Sequence, residues 1–163
     1  MRTHVGFPIG LALAGGLLGS LSTAMGDAQA APVNRTAAIS KYSGVDEIVE
    51  ACTNSTAFAN MPSMSRVFTR AGSGTDEVLV TFQAASSLSG EPFDTGFVQL
   101  TIDGVVQGPG EIPLLGAGER GTHGFTWQSK PLAVGSHTAR VQWRTDLGST
   151  FCVDARSLVV LHK

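Results

Sequence analysis

The sequence predicts an all-β protein, an antiparallel sandwich or barrel. Three observations carry this. Apolar and polar residues alternate in short runs. Gly- and Pro-rich turns separate those runs. No helical period falls between them. The chain has 163 residues, with 20 Gly and 7 Pro.

The first thirty residues stand apart from that pattern. Arg2 gives a positive start, Val5 to Leu21 is apolar with interspersed Gly and Ser, and Ala28-Gln29-Ala30 is a small-x-small cleavage site. This is the layout of a secretory signal peptide, residues 1–30. The alternative, an uncleaved anchor, requires about 20 apolar residues in a row, and this run is broken by glycines. Residues 31–163 then form the mature chain, a length suited to one domain with its own core. They are expected outside the cell, with no membrane span once the signal is removed. Residues 31–44 are rich in Ala, Ser and Thr and read as a flexible leader. "VDEIVEAC" (45–52) reads as one or two helical turns, with Ile48, Val49 and Cys52 at i, i+1 and i+4. A helix that short needs an anchor. The leader and this anchor segment together span 31–56.

The sandwich domain is expected over 57–163. "SRVFT" (65–69) is a short strand. In "EVLVTFQA" (77–84), Val78, Val80, Phe82 and Ala84 share one face. "FVQLTI" (97–102) turns Val98, Leu100 and Ile102 inward. Asp103-Gly104 follows, then "VVQ". An Asp-Gly pair between β-branched runs signals a type I′ hairpin, whose two central residues need positive φ. "GPGEIPLLGAGERG" (108–121), with five Gly and two Pro, reads as a long irregular connection. "THGFTWQ" (122–128) is a strand and "KPLAVGS" (130–136) a turn. Two closing strands follow, at 137–145 and 150–161. Val141 and Trp143 face the core in the first. In the second, Phe151, Val153, Ala155, Val159 and Leu161 share one parity, and Cys152, Asp154 and Arg156 the other. A bulge near Arg156 would shift that parity.

Cys52 and Cys152 are the two cysteines. An even count in an oxidising compartment predicts a disulfide, with free or intermolecular thiols as the alternative. Closing a loop of about 100 residues stabilises by roughly 4–5 kcal/mol on the chain-entropy account. On the polar face of the last strand, the bond would lay the Cys52 segment across that face.

Net charge is −2 and the charges are scattered. No basic patch points to nucleic acid. No HExxH, CxxC or regular calcium-loop spacing appears, and no Gly-rich phosphate loop. No metal and no cofactor is therefore expected, although Asp94 in "EPFDTG" is a candidate calcium ligand. No Gly-x-Ser-x-Gly elbow marks a catalytic serine. Glu91, Asp94, Asp103, Glu111 and Glu119 lie in loops, where two of them could pair across a cleft as in hydrolases. No catalytic residue is assigned. His137 reads as a partner for turn backbone groups, His123 as an edge-of-core residue, and His162 as part of a frayed end. Trp143 reads as core. Trp127 reads either as core or, if exposed, as an apolar platform with Arg120 and His123 beside it. Arg120, His123 and Trp127 are thus the candidate ligand-binding set.

"NMPSMSRVFT", "DEVLVTFQA", "VQLTIDG", "GSHTARVQWR" and "DARSLVVL", in that order, resemble small secreted bacterial jelly-roll β-sandwich proteins, over roughly 57–163. The resemblance implies an antiparallel jelly-roll-like β-sandwich and says little about activity. More distantly the layout is similar to the globular heads of collagen-like and tail-fibre proteins, which implies trimers. No Gly-X-Y stalk precedes it here. The function expected is a secreted, non-catalytic binding module, with a carbohydrate or cell-surface polymer as partner. A self-assembling trimer and a small secreted hydrolase are the alternatives.

Overall fold

The computed structural model describes residues 41–163. Residues 1–40, which include the expected signal peptide and most of the expected leader, lie outside the described residues. Ten strands form: β1 (Lys41–Glu47), β2 (Ala51–Thr53), β3 (Ala59–Arg70), β4 (Leu79–Ser89), β5 (Thr95–Ile102), β6 (Val105–Val106), β7 (Ile112–Gly116), β8 (Arg120–Gln128), β9 (Gly135–Thr145) and β10 (Thr150–His162). The first sheet runs β1-β10-β4-β8, with β2 beside β10. The second runs β3-β9-β5, with β6 and β7 beyond β5. Every pairing is antiparallel. With the short β2 and β6 set aside, the sheets read first-eighth-third-sixth and second-seventh-fourth-fifth. That interleaving of two Greek keys is a jelly roll.

The alternating runs build the core as expected. Val80, Phe82, Ala84 and Leu88 of β4 are buried, as are Val98, Leu100 and Ile102 of β5. Ala139, Val141 and Trp143 of β9 face them, with the Trp143 ring 5.3 Å from that of Phe151. Asp103 and Gly104 have φ of 51° and 80°, and Ile102 pairs with Val105 across them, as a type I′ turn requires.

Three expectations are corrected. Residues 45–52 are not helical. They hold the end of β1, a break, and the start of β2, with Ile48 78% exposed. Two helical turns cannot offset their nucleation cost, whereas β10 offers β1 seven consecutive register pairs. Residues 41–56 therefore carry strands of the first sheet, not a separate anchor. The 108–121 connection holds β7, paired with β5, and the first residues of β8. Pro113 is tolerated because β7 is an edge strand. In β10 the register shifts between Val153 and Arg156. Beyond that bulge Arg156, Leu158, Val160 and His162 turn inward, in place of Ala155, Val159 and Leu161. His162 is therefore buried, with Nε2 3.3 Å from Ser43 Oγ, and is no frayed end.

The bulge brings a guanidinium inside. Arg156 is 4% exposed and donates to the carbonyls of Pro62 (3.2 Å) and Val49 (2.5 Å). It ties β10 to β3 and to the β1–β2 break. Burial pushes its pKa down.

Candidate functional site

The outer face of the first sheet is built from the residues that the core strands turn away. β4 contributes Thr81, Gln83, Ala85 and Ser87. β8 contributes Arg120, Thr122, Gly124 and Thr126. β10 contributes Cys152 and Asp154. Short polar side chains make this face shallow. Thr81 and Thr126 hydroxyls meet at 2.9 Å across two strands.

Three depressions lie on it. One of about 180 Å³ is lined by Glu50, Ser87, Arg120, Thr122, Cys152 and Asp154. A second, about 390 Å³, holds Thr81, Gln83, Thr122 and His123. The third, about 270 Å³, holds Glu47, Gln83, Thr122 and Arg156. All three share Thr122, so they form one trough with a charged end at Arg120, Glu50 and Asp154.

Cys52 and Cys152 form the expected disulfide, 100 residues apart in sequence. They are directly opposed in register, with Cα atoms 4.0 Å apart. Cys152 lies on the polar face, between buried Phe151 and Val153. The Cys52 segment does not cross that face, however. It runs alongside β10 as β2, on the side away from β4, and leaves the trough open. Glu50 places a carboxylate oxygen within 4.8 Å of both sulfurs. Sulfurs bonded to each other are not thiolates, so the group lacks the donors of a metal site.

The sequence-predicted trio divides between two faces. Arg120 is exposed and lines the charged end of the trough. His123 is half-buried, with Nδ1 2.9 Å from Ser86 Oγ. Trp127 is 0% exposed and packs edge-on against Phe125 at 5.0 Å. It provides no platform. Strand parity gives the reason: Arg120 is an even position in β8 and faces out, whereas His123 and Trp127 are odd; Trp127 enters the core, and half-buried His123 also lines the second depression. Glu50 and Asp154, which complete the charged end, were missed. Their only sequence signal is nearness to the two cysteines.

The other candidate groups have structural partners. Asp94, the candidate calcium ligand, is 1% exposed, and its carboxylate accepts four backbone N–H groups. They come from Thr95 (2.6 Å), Asp146 (2.8 Å), Leu147 (2.9 Å) and Ser149 (2.8 Å). Burial pushes its pKa up, but these donors outweigh it and hold the pKa at about 2. A carboxylate ringed by donors has no free oxygen for a cation. His137 binds a turn carbonyl, as expected, with Nε2 2.9 Å from Ala133 O. Its Nδ1 lies 2.6 Å from Asp103 Oδ2. Burial lowers the His137 pKa, but with both ring nitrogens facing acceptors the net shift is upward. Glu119 accepts from Gly116 N at 2.7 Å.

On the second sheet the outer face is occupied by its own side chains. Gln99 donates to Gln142 (2.8 Å), and Gln142 donates to Asn60 (3.0 Å). Arg144 lies over the Phe97 ring at 4.3 Å and bonds Glu111 (3.0 Å) and Asp146 (2.9 Å). The guanidinium lies over the Phe97 ring and, at 5.4 Å, over that of Phe58, so both ring faces are already taken. The first sheet's trough is the better candidate.

No protein-family profile matches the chain, and no curated protein matches its sequence. Among solved structures it is similar to the EclA C-terminal domain, described as a sugar-binding protein. The TM-score is 0.40 and the identity 14%, covering 78% of this chain and 85% of that one. It is also similar to dimeric latent PorU from Porphyromonas gingivalis, with a TM-score of 0.38 and 10% identity, covering 74% of this chain and 13% of that one. Neither is a collagen-like or tail-fibre head. The class is thus defined by topology: a disulfide-linked jelly-roll β-sandwich.

Proposed function

We propose that this chain is a secreted, non-catalytic module that binds a glycan or cell-surface polymer along the outer face of its first sheet. One observation carries the reading. Arg120, Glu50, Asp154, Ser87 and Thr122 line a single open cleft. Carboxylates accept from vicinal hydroxyls, and a guanidinium donates to hydroxyl and ring oxygens in charge-assisted pairs. The shallow hydroxyl-bearing trough beyond it has room for further units of a chain. Its open, wet character favours modest affinity per site. Among the described residues no helix is long and apolar enough to cross a membrane, and the disulfide is compatible with an extracellular location.

The test is retention on insoluble polysaccharides and on cell walls, beside Arg120→Ala. Retention that falls at least about tenfold in the variant, close to 1.4 kcal/mol, supports the reading. Equal retention overturns it. Glu50 and Asp154 share the cleft, so the same polymers are assayed for release of soluble sugar. Release abolished by Glu50→Gln would instead make the protein a hydrolase.

A further inference from the structure

Sheet edges are where a β-protein risks or uses pairing with another chain. Three edges of this sandwich are blunted. β3 contains Pro62, and its register shifts between Asn60 and Ser65. The β5 side ends in the two-residue β6 and in β7, which carries Pro113. On the β10 side, β1 and β2 are separated by the break at 48–50, and β1 lies against β3. The fourth edge, β8, has none of these devices. It pairs with β4 over nine consecutive residues, Arg120 to Gln128, without a shift. It contains no proline and no lysine, and it has a glycine at its midpoint.

The hydrogen-bond phase of β8 follows from its ends. Ser129 N donates to Val78 O (2.9 Å), and Leu88 N donates to Glu119 O (3.1 Å). Both lie on the same register as the β4–β8 ladder, so odd-numbered β8 residues bond to β4. The N–H and C=O groups of Arg120, Thr122, Gly124, Thr126 and Gln128 therefore point away from it. Among the described residues none of these backbone groups has a protein partner.

We infer that β8 pairs antiparallel with β8 of a second copy, about a two-fold axis at Gly124. In that register Gly124 faces Gly124, Thr122 faces Thr126, and Arg120 faces Gln128. No like charges oppose, and all five outward residues fall into hydrogen-bonded pairs, about ten bonds in all. Thr-Thr is a favourable cross-strand pair. Arg120 facing itself, or a free proline, would have argued against such a pairing. The axis stands perpendicular to the sheet, so both troughs open on the same side of the joined sheet. The inference is argued from the backbone groups of the edge and does not rest on the glycan reading, although the side chains of Arg120 and Thr122 also line the trough, so self-association and retention are measured separately.

Sedimentation velocity of the purified chain over a concentration series is the test, with amide hydrogen exchange at Thr122, Gly124 and Thr126. The expected result is a dimer whose three amides are protected. Thr122→Pro removes an outward donor and leaves the β4 ladder intact. It should raise the dissociation constant about tenfold or more, speed exchange at Gly124 and Thr126, and leave thermal unfolding of the monomer unchanged. A monomer at every concentration overturns the inference. So does a trimer, or a dimer whose Gly124 and Thr126 amides exchange as freely as solvent-exposed ones. If Thr122→Pro fails to fold, the wild-type exchange and mass alone decide.

Discussion

Asp94 Oδ2 accepts the backbone N–H of Ser149 at 2.8 Å, and its Oδ1 takes those of Asp146 and Leu147. One buried carboxylate between β4 and β5 thus holds the loop between β9 and β10. That loop closes the sandwich at one end, because β9 and β10 belong to different sheets.

Asp94 should be the principal acid-sensitive group. Its folded pKa of about 2 lies below the ordinary 3.8. A depressed folded pKa contributes stability that is fully present above the unfolded value and lost as pH falls through the folded one. The window is therefore about pH 4 to 2, and the contribution about 2 kcal/mol. Urea unfolding at a series of pH values should show that loss. Asp94→Asn should cost about 2 kcal/mol or more at neutral pH, since an amide N–H would then face backbone donors. It should also flatten the acid limb.

The Asp103–His137 pair adds a limb on the alkaline side. The His137 pKa is raised above 6.5, so its contribution is fully present below the unfolded value and fades as pH rises through the raised folded one. The Asp103 pKa is lowered, with burial opposing and the His137 and Thr138 donors prevailing. Its contribution is present above 3.8 and fades as pH falls. His137→Gln should abolish the alkaline decline while the Asp94 limb persists. Thermal unfolding followed by circular dichroism across pH would show both.

Reduction of the disulfide should cost up to about 4–5 kcal/mol for a separation of 100 residues. The three-residue β2 holds to β10 by a short ladder and this bond, so it should detach first and take Glu50 with it. Cys52→Ser with Cys152→Ser should therefore unfold at lower urea concentration and lose polysaccharide retention at conditions where the sandwich remains folded. Retention equal to wild type would show that Glu50 takes no part.

Trp127 and Arg120 should separate stability from binding. Trp127→Ala empties a fully buried site and should cost about 3–5 kcal/mol, with retention falling only as the folded fraction falls. Arg120→Ala, at an exposed position, should change stability by less than about 0.5 kcal/mol and lower retention directly. Calorimetry beside the pull-down tests the contrast.

Much of the candidate site was out of reach of the sequence. Arg120 was legible as a charge just ahead of the predicted 122–128 strand, although the strand itself begins at Arg120. Glu50 and Asp154 were not, because the register between β2 and β10 joins segments 100 residues apart. Trp127 was ambiguous in the sequence, and only its register opposite buried Val80 of β4 decided its burial.

What the sequence by itself determined is what depends on neighbours a few residues away. Period-two alternation set the faces of β4, β5 and β9, and Asp103-Gly104 set a hairpin through its positive φ. These are local steric and solvation effects, so they can be read in one dimension. What the tertiary structure decided depends on long-range pairing. β10 drew residues 41–47 into a strand and bulged at 154–155, which turned Arg156 inward. Asp94 found its four donors on a loop more than fifty residues away, apart from the one beside it. Hydrogen bonds and burial are satisfied wherever the fold brings partners together, and that placement is carried by topology, which no short stretch of the chain contains.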